Sequence, residues 1–173
     1  MKKYMWTWVF CIGILVSCYG AIFALTPLNT VVPGGYIWIS LAALSIFFND
    51  GATIKLLPSY TCSTIAGLIW GFIGVTGVGF MISSGLNPTI ATCITLFILP
   101  FSVLGAHVIL LEKTWFNKVT IIFVTLSIVF SQPVTNIIYV GLATFGGFLL
   151  GLAITAVGKI LEKRMLPAQI TEQ

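Results

Sequence analysis

Apolar residues run along this chain in six blocks separated by short stretches of polar and turn-forming residues. The blocks cover roughly Trp6–Leu25, Tyr36–Phe48, Tyr60–Ile82, Pro88–Leu110, Val119–Phe130 and Ile137–Val157. A helix that crosses a bilayer needs about 20 residues. Four blocks meet that length. The second and fifth fall short, held there by the turn residues that end them. The pattern predicts six spans, the second and fifth short enough to be broken.

Composition removes the soluble alternatives. The 173 residues are 58% hydrophobic and 7% charged. A soluble domain of this size would expose far too much apolar surface. The expectation is an all-α membrane protein, a single membrane domain over residues 1–173 whose first partner is the lipid bilayer. The net charge of +4 is then no sign of nucleic-acid binding; its placement matters instead. The basic residues sit in four places: Lys2 and Lys3; Lys55; Lys113 and Lys118; and Lys159, Lys163 and Arg164. With six spans, all four places fall on one side. The other connections, Thr26–Gly35, Ser83–Asn87 and Ser131–Asn136, carry no charge. The positive-inside rule then places both termini in the cytoplasm.

The chain also echoes itself. Ser17-x-x-Gly20-Ala21-x-x-x-Leu25 returns as Ser102-x-x-Gly105-Ala106-x-x-x-Leu110, 85 positions on. Leu44-Ser45-Ile46-x-Phe48 returns as Leu126-Ser127-Ile128-x-Phe130 at offset 82. Thr64-x-x-Gly67-x-x-x-Gly71 returns as Thr144-x-x-Gly147-x-x-x-Gly151 at offset 80. Three matches in order predict one three-span unit used twice, about 6–82 and 88–158, with a cytoplasmic tail at 159–173. Three is odd, so the second unit enters from the opposite side. The expectation is an inverted 3+3 repeat, an arrangement that transporters use with the site between the copies.

Candidate chemistry follows from that symmetry. Interrupted segments at matching places in both halves point to a binding site. Here they are Asn49-Asp50-Gly51 and Ser131-Gln132-Pro133-Val134-Thr135-Asn136. Asn49, Asp50, Gln132 and Asn136 would stand at the mouths of a path; the same residues also make ordinary turns, and Asp50 with Lys55 reads as a solvated pair at the cytoplasmic edge. Thr64 and Thr144 would meet mid-membrane if spans three and six cross at the pseudo-axis, giving the narrowest polar point. Ser17 and Ser102 would line the path or serve close helix packing. His107, the single histidine, is a candidate by default within a membrane; Glu112 and Lys113 just beyond it give the competing reading of a headgroup position. Pro100 predicts a kink in span four.

Gly67, Gly71, Gly147, Gly151, Gly20 and Gly105 are expected to allow close helix approach. Gly74, Gly77 and Gly79 extend that face in span three. The crossing would join spans three and six with each other or lie across an oligomer interface, and the glycine faces predict a homo-oligomer. Trp70, Tyr60 and Tyr139 line the path or belong to aromatic belts; Trp6 and Trp8 read as belt residues.

Other chemistry finds little support. The sequence has one histidine, no acid pair, no nucleophile with a base at useful spacing and no glycine-rich phosphate loop. Cys11, Cys18, Cys62 and Cys93 form no CxxC pair and suggest no metal; they read as small buried residues. Lys2-Lys3 followed by an apolar run to Cys18 also fits a lipoprotein signal, though the apolar run continues past it. No cofactor is expected, and no enzyme.

Phe47-Phe48-Asn49-Asp50-Gly51, Ala66-Gly67-x-x-Trp70 and Leu99-Pro100-x-Ser102-x-x-Gly105-Ala106 resemble a family of small bacterial inner-membrane proteins of unknown function, the YcdZ-like type. The resemblance covers about 10–158. It implies an inner-membrane location and no settled activity. The combined expectation is a channel or facilitative transporter for a small, uncharged polar solute. The alternative is a non-transporting subunit that docks a partner through its glycine faces.

Overall fold

A computed structural model describes residues 2–26 and 36–166. Most of the uncharged connection expected over Thr26–Gly35 and the end of the tail lie outside those residues. Among the described residues six α-helices follow in order: α1 (Lys2–Ala24), α2 (Ile37–Asn49), α3 (Leu57–Ser83), α4 (Pro88–Leu104), α5 (Val119–Phe130) and α6 (Ile137–Met165). No strand occurs among the described residues. Four helical stretches are long and apolar enough to cross a membrane: α1, α3, α4 with its continuation to Leu110, and α6 with the turn before it. α2 and α5, at 13 and 12 residues, rise only about 20 Å at 1.5 Å per residue, short of a hydrocarbon core of about 30 Å.

Local sequence explains the helix ends. α2 stops at Gly51, whose φ is +91°. The Gly51 N–H donates to Phe48 O at 2.9 Å and the Ala52 N–H to Phe47 O at 3.0 Å. That is the Schellman arrangement, which needs a left-handed residue. Ala52 also has positive φ, +42°. α3 ends the same way: Gly85 has φ +91°, and the Gly85 and Leu86 N–H groups reach Ile82 O and Met81 O. α4 then starts on Asn87, whose side chain accepts from the Thr89 N–H at 2.9 Å, with Pro88 in the first turn, a combination helix starts favour. Pro100 stands inside α4 and cannot donate to the carbonyl four residues back. The helix continues past it as a π-helical turn, Gly105–Leu110.

The chain divides into two compact units. One comprises Met1–Ile54 and Gly146–Gln173, the other Lys55–Phe145. The first therefore holds α1, α2 and most of α6. In it α2 lies against α6. A side-chain carbon on Gly147 would collide with the Ser40 carbonyl oxygen, and one on Gly151 would come within 3.0 Å of the Phe47 ring. The Phe47 and Phe148 ring centroids are 5.2 Å apart. α1 joins through Tyr19, whose hydroxyl donates to Ser40 Oγ at 2.8 Å.

The second unit holds α3, α4, α5 and the start of α6. Here α5 lies against α3. A carbon on Gly67 would sit 2.7 Å from the Ile122 carbonyl oxygen, and one on Gly71 would sit 2.7 Å from Val129 Cβ. Ala66, Leu99, Val103, Ile122 and Leu126 form the buried core, with Trp70 and Phe123 packed on it. In lipid, such contacts hold through close van der Waals fit, because burial from water adds nothing between spans.

Where the sequence pointed these glycine faces at each other or at a second copy, the contacts run to α5 and α2. A side-chain carbon on Gly20 would lie 3.4 Å from Ile37, and Gly105, Gly77 and Gly79 have open space where a side chain would go.

Candidate functional site

Burying a polar side chain costs free energy unless it is hydrogen-bonded, so the buried polar groups are the places to look. They are Ser40, Ser63, Thr64, Thr95, His107, Thr125 and Thr144. Thr64, Thr95 and Thr144 each donate to the carbonyl four residues back, Tyr60 O at 2.9 Å, Ala91 O at 3.0 Å and Val140 O at 2.8 Å. Their hydroxyls are satisfied by their own helices, and no hydrogen bond joins Thr64 to Thr144. Thr125 Oγ1 is buried with no partner among the described residues.

His107 is different, because both ring nitrogens are used and both partners come from elsewhere. The π-helical turn places the ring inside the second unit, 4% exposed. The Trp70 indole N–H lies 3.0 Å from Nε2, and the Phe116 carbonyl oxygen lies 2.7 Å from Nδ1. An indole nitrogen can only donate and a carbonyl can only accept. Nε2 is therefore the acceptor, and Nδ1 carries the hydrogen. This is the neutral imidazole in one tautomer. The ring is held between α3 and the α4–α5 connection.

That connection is tied down at further points. Ser63 Oγ donates to Trp115 O at 3.3 Å and accepts from the Lys118 N–H at 3.1 Å. Lys118 Nζ lies 5.3 Å from the centre of the Tyr60 ring, within cation–π range. Asn117 Nδ2 donates to Glu112 O at 2.9 Å. The cluster gives a polar clasp over the ends of α3 and α4.

The other expected path residues are spread through the two units. Ser17 is exposed on α1, and Asn49 and Asp50 are exposed at the end of α2. Ser102 is half-buried on α4, while Gln132 and Asn136 are half-buried in the turn before α6. Two cavities in the second unit, about 180 and 410 Å³, have apolar walls, built around Ile73, Ile94 and Ile98 in one and Ile65, Phe72 and Ile138 in the other. Sequence reasoning missed Ser63 and Phe116. One signal was present: Tyr60, Ser63, Gly67 and Trp70 follow each other at spacings of three and four, one stripe of α3.

No family model, curated protein or solved structure matches the chain.

Proposed function

We propose that this is a bacterial inner-membrane channel or facilitative transporter for a small, uncharged polar solute, built as an inverted 3+3 repeat with both termini in the cytoplasm. One observation carries the reading. The close glycine contacts correspond position for position: Gly67 meets Ile122 and Gly71 meets Val129, while Gly147 meets Ser40 and Gly151 meets Phe47. The glycine pairs stand 80 apart, and Ser40 to Ile122 and Phe47 to Val129 each stand 82 apart. These are the offsets at which the sequence echoes itself. Two copies of one ancestral unit that exchange their third helices would give this set of contacts, and inverted repeats of this kind serve transport. The sparse charge within the spans favours a neutral solute. The proposed path residues remain Thr64, Thr144, Ser17 and Ser102.

The second reading, a non-transporting membrane subunit, draws on the apolar walls of those cavities. Against it, Gly67, Gly71, Gly147 and Gly151 are already covered, which leaves only Gly77, Gly79 and Gly105 of the proposed docking faces open.

Stopped-flow light scattering on proteoliposomes tests the proposal. The panel is water, urea, glycerol, short amides and ammonia against empty liposomes, with Thr64→Val,Thr144→Val as the variant. Both hydroxyls bond their own helices, so the variant keeps its fold and a change in flux reports on the path. Faster flux for one solute, lost in the variant, supports the reading. Flux that the variant leaves intact removes the threonine constriction. No flux for any solute rejects the passive channel and favours the subunit.

A further inference from the structure

The connection between α4 and α5, residues 111–118, carries an exposed tryptophan on a backbone that asks little of water. Glu112 through Asn117 are exposed, Trp115 at 65%. Yet the carbonyls of Leu111, Glu112, Trp115, Phe116, Asn117 and Lys118 all accept hydrogen bonds from groups of the protein. In bulk water such carbonyls can be left to solvent at little cost. At the edge of a bilayer they cannot, because unmade backbone bonds become expensive as water thins out.

The clasp bonds also set the depth of this segment. α3 has 27 residues and rises about 40 Å, close to a bilayer with its headgroups, about 40–45 Å against about 30 Å for the hydrocarbon alone. Ser63 follows Leu57, the first residue of α3, by about 9 Å of rise. It therefore stands near the level where headgroups give way to hydrocarbon. Ser63 Oγ donates to Trp115 O and accepts from the Lys118 N–H. On the other side His107, which bonds Phe116 O, precedes the end of its span at Leu110. The connection thus folds back alongside two helices and does not stand clear of their ends. Ile109 and Leu110, 75% and 79% exposed, add apolar surface where that span ends. An indole suits this level, since its ring is apolar and its N–H can reach headgroup oxygens. We propose that the α4–α5 connection is a membrane-interface anchor, with the Trp115 indole held by the clasp in the layer between lipid headgroups and acyl chains. The inference rests on the chain being a membrane protein and not on what it transports.

Fluorine NMR of the full chain, labelled with fluorotryptophan and reconstituted in phosphatidylcholine–phosphatidylglycerol nanodiscs, tests this. The chain has five tryptophans, and the resonance that Trp115→Phe removes is that of Trp115. The substitution is at an exposed position and leaves the fold intact. Three nitroxide probes are compared: one on the lipid chain near the glycerol, one at the chain end, and a charged one dissolved in water. The expected result is that the probe near the glycerol broadens the Trp115 resonance at least twofold more than either of the others. Strongest broadening by the dissolved probe would place the connection in water and overturn the proposal. Strongest broadening by the chain-end probe would place it in the hydrocarbon and overturn it too. Broadening by none of the three would mean that a second copy or another protein covers the indole, which also overturns it. None of these outcomes depends on solute flux.

Discussion

The Trp70 indole N–H donates to His107 Nε2 across 3.0 Å, joining residues 37 positions apart and deciding which imidazole nitrogen carries the proton. His107 is the single histidine of the chain, so nitrogen NMR of ¹⁵N-histidine-labelled protein reads it without assignment. The neutral ring should show a protonated Nδ1 and an acceptor Nε2. Trp70→Phe should release the tautomer and lower stability by about 1–2 kcal/mol, the cost of leaving a buried acceptor unmade. A spectrum dominated by the Nε2-protonated form would contradict the arrangement.

Glycines on one helix should respond unequally to the same substitution. Gly67→Ala places a methyl group 2.7 Å from a backbone oxygen, which cannot swing aside. The expected loss is about 1–3 kcal/mol, the usual result of overpacking. Gly77→Ala, on the same helix with open space, should be neutral or stabilising by up to about 1 kcal/mol. Thermal unfolding in one detergent compares the two, and equal effects would count against the α3–α5 crossing.

Thr125 is buried with its hydroxyl unpartnered. Thr125→Val keeps the shape and removes the polar atom. It should raise stability by about 1 kcal/mol, since an unmade buried hydrogen bond costs about 1–3 kcal/mol. Thr64→Val should change little, because the carbonyl it leaves keeps its place in the helix ladder. A Thr125→Val variant that melts earlier would mean that the hydroxyl has a partner.

Gly51 and Gly85 share φ +91° and have open space around them. Their cost on substitution is conformational and not steric. Gly51→Ala and Gly85→Ala should each destabilise by about 1–2 kcal/mol, the penalty for a Cβ in a left-handed conformation. Gly13→Ala, in open space within α1, is the control and should show no loss.

The sequence by itself determined the helices. Apolar block length placed the six helices of the described residues, and it marked α2 and α5 as the short ones, because a helix closes its backbone hydrogen bonds within its own segment and lipid leaves no other choice. It also marked Gly67, Gly71, Gly147 and Gly151 as points of close approach, since only a missing side chain permits one. Which helix comes close was not legible. α5 against α3 and α2 against α6 are choices among apolar surfaces that lipid tails do not distinguish, so the fit of side chains in three dimensions decides. The same holds for His107. Its position beyond Pro100 was visible in the sequence, but its partners Trp70 and Phe116 lie on another helix and in a connection. Only the tertiary structure brings a donor and an acceptor to the two nitrogens of one ring.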